Sequence, residues 1–238
     1  VLYAQGCSLT GTSTEGFSEA VQAAEQADVA VVVLGGASHP GPSPKRRAAM
    51  EAGEITCGEG IDRADLNLPG VQRQLAQAVH RTGTPVIVVL LNGRPLSISW
   101  VADNIPAILE GWYPGEEGGT AIADIIFGDC KPSGKLAVSI PRTVGQLPVF
   151  YNHRDRHLNP VGYIFTDADP LYSFGHGLSY SNFEYSDLEV VPQRSGPAAQ
   201  FEVSVTVRNS SNIKGDEVVQ LYINDMVSSI STPLKELK

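Results

Sequence analysis

Apolar residues follow two different rhythms along the chain, and the change between them divides it. Phe17, Val21, Ala24 and Ala27 recur at three- to four-residue spacing, which predicts a helix over 17–28. Val29–Leu34 then runs apolar without interruption and ends at Gly35-Gly36. A β-branched run of that kind predicts a strand buried on both faces, as in a parallel sheet covered by helices. Residues 39–53 are rich in Pro, Gly, Lys and Arg and read as a long polar loop. Leu68–Arg81 restores the helical period, with Val71, Leu75 and Val79 on one stripe and Pro69-Gly70 in the first turn. Val86–Leu91 is a second buried strand, and Ala107–Glu110 a short third one. A glycine-rich loop over Trp112–Gly119 and a helix over Thr120–Phe127 follow. This alternation predicts right-handed crossovers and a doubly wound, mostly parallel α/β sheet.

After Gly128 the pattern changes. Lys135–Pro141 is extended, and residues 142–182 hold Tyr, His, Pro and Asp without a clear period. From Phe183 onward the spacing is that of strands: Tyr185, Leu188 and Val190, then alternation over Phe201–Arg208, then Val218–Tyr222. Three strands are too few for a β-sandwich, which needs about seven.

Composition narrows the function. A net charge of −9, with no basic run longer than Lys45-Arg46-Arg47, argues against nucleic acid as a partner. No apolar stretch reaches the roughly 20 residues that cross a bilayer, so no membrane partner is expected. The chain opens on Val1 without a signal peptide, so the expectation is that processing or fragmentation has removed its start. Cys7, Cys57 and Cys130 have no metal-ligand spacing. Three buried thiols are expected, although a Cys7–Cys57 or Cys57–Cys130 bridge stays open. His39, His153 and His176 likewise lack ligand spacing, and neither a metal nor a cofactor is called for.

The chemistry concentrates in Cys57-Gly58-Glu59-Gly60-Ile61-Asp62-Arg63, a glycine-flanked loop between a strand and a helix. Ligands of open α/β sheets collect beyond the carboxyl ends of the strands. A carboxyl on such a loop can reach into a cleft as a general acid must, or it can simply be a solvated helix cap. Trp112, Tyr163 and Phe165 could stack on sugar rings, and core packing is the alternative for Trp112. An Asp62–Arg63 pair is expected to brace the loop.

These residues resemble glycoside hydrolase family 3, the β-glucosidase and β-xylosidase family. The loop, together with Leu66-Asn-Leu-Pro-Gly-Val-Gln72, is similar to the family's αβ-sandwich. Leu91-Asn-Gly-Arg-Pro-Leu96, Ile108-Leu-Glu-Gly-Trp-Tyr-Pro-Gly115, Pro132-Ser-Gly-Lys-Leu136 and Pro170–Tyr180 follow in the family's order. Gly215–Tyr222 resembles its closing fibronectin-III-like domain. The resemblance implies an αβ-sandwich over 1–141 lacking its first strand, an irregular linker over 142–182, and an incomplete fibronectin-III-like sandwich over 183–238. It also implies a retaining mechanism, with an Asp nucleophile on an N-terminal TIM-like barrel that this chain does not contain. The acid/base Glu comes from the loop: Glu59 is the first candidate, Glu54 the rival and Glu51 a further one. Trp112, Tyr163 and Phe165 become substrate-binding candidates, the last two for a leaving-group subsite. The expected substrate is an oligosaccharide or aryl β-glucoside, and the expected partner is the barrel segment or chain. Self-association is left open, and a secreted or periplasmic location is expected. Since the resemblance implies a chain cut inside both domains, it is expected to fold stably only beside the remaining segments. A β-xyloside or arabinofuranoside substrate and a non-catalytic sugar-binding or interaction module are the alternatives. A nucleotide site is disfavoured, because Leu34-Gly35-Gly36-Ala37 has neither a G-x-G-x-x-G pattern nor a P-loop lysine.

Overall fold

The computed structural model describes residues 1–38, 44–154, 163–194 and 199–238. Three parallel strands, β1 (Ala30–Gly35), β2 (Val86–Leu91) and β3 (Ala107–Glu110), form one sheet in sequential order. Helices α1 (Phe17–Glu25) and α3 (Gln72–His80) pack together and cover one face of it. Ala24, Leu75, Ala76 and Val79 meet Ala30, Val32, Leu34, Val86, Val88 and Leu90 there. The apolar stripe on α3 and the strand alternation thus bury the same core. Helix α4 (Ser99–Asn104) adds Val101 to it, and α5 (Gly118–Phe127) follows β3.

Three expectations need correction. The opposite face of β1 is open, with Val31 and Val33 exposed at 45% and 58%. A continuous apolar run shows that both faces are apolar, but it cannot show that both are covered. Helix α3 starts at Gln72 rather than Leu68, because Gly70 sits at φ 56°, outside helical geometry. The polar loop expected over 39–53 instead holds helix α2 (Pro44–Glu51), while residues 39–43, with His39, lie outside the described residues. Ala48, Ala49 and an exposed Arg47–Glu51 pair at 3.0 Å favour helix without any apolar stripe to announce it.

Segment 142–182, described except for 155–162, is tied down by polar contacts. Buried Gln146 donates from Nε2 to the Asp167 carbonyl (2.8 Å) and accepts the Arg142 N–H at Oε1 (2.6 Å). Strands β4 (Phe183–Arg194) and β5 (Gln200–Asn209) form an antiparallel pair, and β6 (Tyr222–Ile223) and β7 (Glu236–Leu237) a second, short one. Phe201, Val203 and Val207 line one exposed face of β5. The accessible surface is 15657 Å², against roughly 10,300 Å² for a compact protein of this mass. The cysteines are free thiols, and of the three only Cys57 is buried, while Cys7 is intermediate and Cys130 exposed. Among the described residues no helix is long and apolar enough to cross a membrane.

A buried amide closes the end of β1. Gln72 Oε1 accepts the Gly35 N–H (2.8 Å), and its Nε2 donates to the carbonyls of Leu9 (2.8 Å) and Gly35 (3.0 Å). Gln72→Leu leaves these backbone groups without partners in a water-poor site. It is expected to cost about 2–4 kcal/mol. Chemical denaturation of the purified protein measures this, and an unchanged midpoint would show the amide to be dispensable.

Candidate active site

The three strands release their chains at one end of the sheet, and the loop carrying Glu59 is fastened to all three exits. Beyond β1, the Ala37 carbonyl accepts the N–H groups of Thr56 (2.9 Å) and Cys57 (3.2 Å), and Ser38 bridges Cys57. Beyond β2, Arg94 Nη2 donates to the Gly58 carbonyl (3.1 Å) and to that of Ile61. Its Nη1 lies 3.6 Å from the Asp62 carboxylate. Beyond β3, the Tyr113 hydroxyl meets the Cys57 thiol at 2.8 Å.

Glu59 stands in the turn this fixes. Ile61 N–H donates to the Gly58 carbonyl (3.2 Å), and Gly60 takes φ 69°, a backbone shape that suits glycine. Glu59 is exposed, as are Glu54 and Glu51. Glu54 lies just beyond the end of α2, where Gly53 at φ 72° reverses the chain. Glu54 N–H donates to the Ala49 carbonyl (2.8 Å) and Gly53 N–H to that of Met50 (3.0 Å), a Schellman termination. The same segment therefore carries both candidate carboxyls, one on a turn and one at a helix end. Arg63 turns away to the carbonyls of Asp65 (2.9 Å) and Asn67 (2.8 Å). The expected Asp62–Arg63 pair is replaced by Asp62–Arg94, because Arg63 is held by its own downstream backbone.

Trp112 lies next to this cluster, half-buried at φ 50° directly before Tyr113. It is not part of the main hydrophobic cluster. Tyr163 and Phe165 occupy a different region. They line an open depression of about 630 Å³ with Ser99, Arg142, Thr143 and Asp167, where Tyr163 donates to the Gly145 carbonyl (2.9 Å) and Phe165 is 99% exposed. Arg142 and Asp167 pair there at 3.4 Å. Among the described residues no cluster of His, Cys, Asp and Glu could hold a metal.

Sequence reasoning missed Arg94, Tyr113 and Glu110. Each lies at or just beyond the carboxyl end of a strand, so the rule that led to Glu59 could have found them too. Burial pushes the Tyr113 hydroxyl up to about 12, reinforced by Cys57. Burial likewise pushes the Glu110 carboxyl up to about 7, with the Trp112 N–H and the Asn92 amide pulling it partly back. Glu110 Oε1 accepts the Trp112 N–H at 3.3 Å, so the carboxyl holds the turn leading to Tyr113.

Comparison with known proteins places these features in a family. The profile of the glycosyl hydrolase family 3 C-terminal domain matches residues 3–180. A β-xylosidase of Formosa agariphila is 48% identical over 99% of this chain and 31% of its own length. A periplasmic β-glucosidase of Salmonella typhimurium is 41% identical over 92% of this chain and 28% of its own. The solved structure of a β-glucosidase from Erythrobacter marinus superposes with a TM-score of 0.82 at 41% identity, covering 99% of this chain and 33% of that one. The chain spans about a third of the length of these relatives.

The Glu110 shift has a defined sign. An unfolded glutamate releases its proton near pH ~4.3, whereas folded Glu110 holds it to about 7. Between these values the folded state binds the extra proton, so this group's contribution to stability falls as pH rises through the window. Glu110→Gln, neutral throughout, is expected to raise Tm relative to wild type at pH 8, and by less at pH 5. Equal differences at both pH values would show that Glu110 is not the titrating group.

Proposed function

The chain belongs to glycosyl hydrolase family 3, and on that premise we propose that it supplies the general acid/base of a retaining β-glycosidase. Glu59 is the proposed acid/base, and the nucleophilic Asp lies on an N-terminal barrel outside this chain. The observation that carries this reading is the fastening of the Glu59 turn to all three strand exits. A proton donor has to be held where the leaving-group oxygen will be, and a loop anchored at three points can do that.

The chemistry takes two steps. The barrel Asp attacks the anomeric carbon as the glycosidic C–O bond breaks, and the departing oxygen takes the proton of Glu59. Glu59, now a carboxylate, removes a proton from water, which attacks the same carbon and releases the sugar and the Asp. Retention requires the two carboxyl groups about 5–5.5 Å apart. In this reading residues 1–141 are the αβ-sandwich domain that carries the acid/base, residues 142–182 the irregular linker, and residues 183–238 an incomplete fibronectin-III-like sandwich. Trp112 borders the sugar, and Tyr163 and Phe165 form an outer ledge for the leaving group.

Terminal β-glucose is the sugar proposed. The 48% identity to a relative named as a β-xylosidase favours β-xylosides as the second reading. Glu54 is the alternative acid/base, five residues earlier on the same segment.

In the complete enzyme, Glu59→Gln is expected to lower hydrolysis of poor leaving groups by about 10²–10⁴-fold, with azide restoring turnover of activated aryl glycosides. Unchanged turnover would move the role to Glu54.

A further inference from the structure

We infer that Arg94 is a positioning residue for the acid/base, its guanidinium holding both ends of the Glu59 turn from beyond β2. The inference rests on the reading of Glu59 given above. Its own support is a set of bonds between residues more than thirty positions apart.

Arg94 Nη2 reaches the carbonyls of Gly58 and Ile61, which lie on either side of Glu59 and Gly60. One nitrogen with two N–H groups can serve both, so the turn cannot open without breaking a charge-assisted bond. The arginine is itself held. Asn92, almost completely buried, donates from Nδ2 to the Arg94 carbonyl at 2.9 Å, which fixes the backbone from which the side chain extends. Asp62, fully exposed, lies 3.6 Å from Nη1.

The site asks for arginine rather than lysine. An ammonium is a compact point charge without the planar fork that addresses two carbonyls and a carboxylate together. Gly60, at φ 69°, permits the tight turn, and the space where its Cβ would stand is open. Arg94 on one side and the Cys57–Tyr113 contact on the other hold the segment that carries it.

The test uses the complete enzyme and compares Arg94→Met, Arg94→Lys and Glu59→Gln. The readout is kcat/KM, which reports the steps through glycosyl transfer, for a disaccharide and for a dinitrophenyl β-glycoside. The dinitrophenolate departs without a proton, so a displaced acid leaves its release almost unchanged. Arg94→Met is expected to lower kcat/KM for the disaccharide by about 10²-fold and to spare the activated substrate. Arg94→Lys should restore part of the loss. A loss of equal size on both substrates, or no loss on either, overturns the inference. If Arg94→Met does not fold, Arg94→Lys decides by the same contrast between substrates. Glu59→Gln separates the two readings. A strong leaving-group dependence there, without one in the Arg94 variants, removes only the positioning role. No dependence in Glu59→Gln removes the acid/base reading, and the role of Arg94 with it.

Discussion

The register of the three-stranded sheet is the constraint on which the rest of the molecule depends. Gly35 pairs with Leu91 and Leu90 with Glu110, so the three strands end within one residue of each other. The ladder continues one step further, with Gly36 N–H donating to the Leu91 carbonyl and Gly111 N–H to that of Leu90, both at 2.9 Å. A one-residue slip would turn every buried side chain of a strand to its other face. Val88, Val89 and Leu90, almost completely buried in the middle strand, make such a slip costly. The end of the ladder is also closed to side chains. At Gly35, φ 141°, a Cβ would stand 2.0 Å from the Leu91 carbonyl oxygen. The exits at Ala37, Arg94 and Tyr113 consequently converge on one loop.

That loop is held mostly by its main chain. Thr10 grips the carbonyl of Gly53, Ala37 the N–H groups of Thr56 and Cys57, and Arg94 the carbonyls of Gly58 and Ile61. Buried Leu66 and Leu68 then carry the chain back into the core, where Ser97 N–H donates to the Leu66 carbonyl (2.8 Å). Anchors on the backbone fix the path of a loop while leaving its side chains to be chosen for chemistry, which is how irregular segments carry function on a rigid scaffold. Elsewhere Lys135 and Glu217 form a largely buried pair at 3.4 Å between segments 82 residues apart, with Lys135 also donating to the Gly177 carbonyl (2.9 Å).

The strands of the parallel sheet were legible because their residues carry the pattern themselves, whereas of Val218–Tyr222 only Tyr222 lies in a strand, β6. Val86–Leu91 and Ala107–Glu110 match the observed elements, and Val29–Leu34 is displaced from β1 by one residue. Helix α2 was not legible, because an exposed helix rich in Lys, Arg and Ala has no apolar stripe. Nor was α4, six residues long and contributing one fully buried residue, Val101. At the candidate site, the glycines around Glu59 marked a turn at the right place in the topology. Its fastening was hidden, since Cys57 and Tyr113 are 56 residues apart, and Gly58 and Arg94 are 36 apart. Contacts of that range follow from strand register, which no local window contains. The Asp62–Arg63 expectation failed for the same reason: sequence neighbours invite pairing, and the partner came from another strand exit.

A general acid must be both well placed and protonated, and these requirements are met by different parts of an enzyme. Placement is a matter of bonds to the backbone, and the sheet exits provide it. Protonation at neutral pH requires a carboxyl withdrawn from water, as Glu110 shows, held near 7 by burial at the end of β3. Glu59 is exposed and its turn is fixed by the three strand exits. Under the reading of Glu59 as acid/base, the barrel that bears the nucleophile has to meet this turn so that the two carboxyl groups stand on either side of one glycosidic bond. The position of one carboxyl would then be set by this chain and that of the other by the barrel, so catalysis would require both.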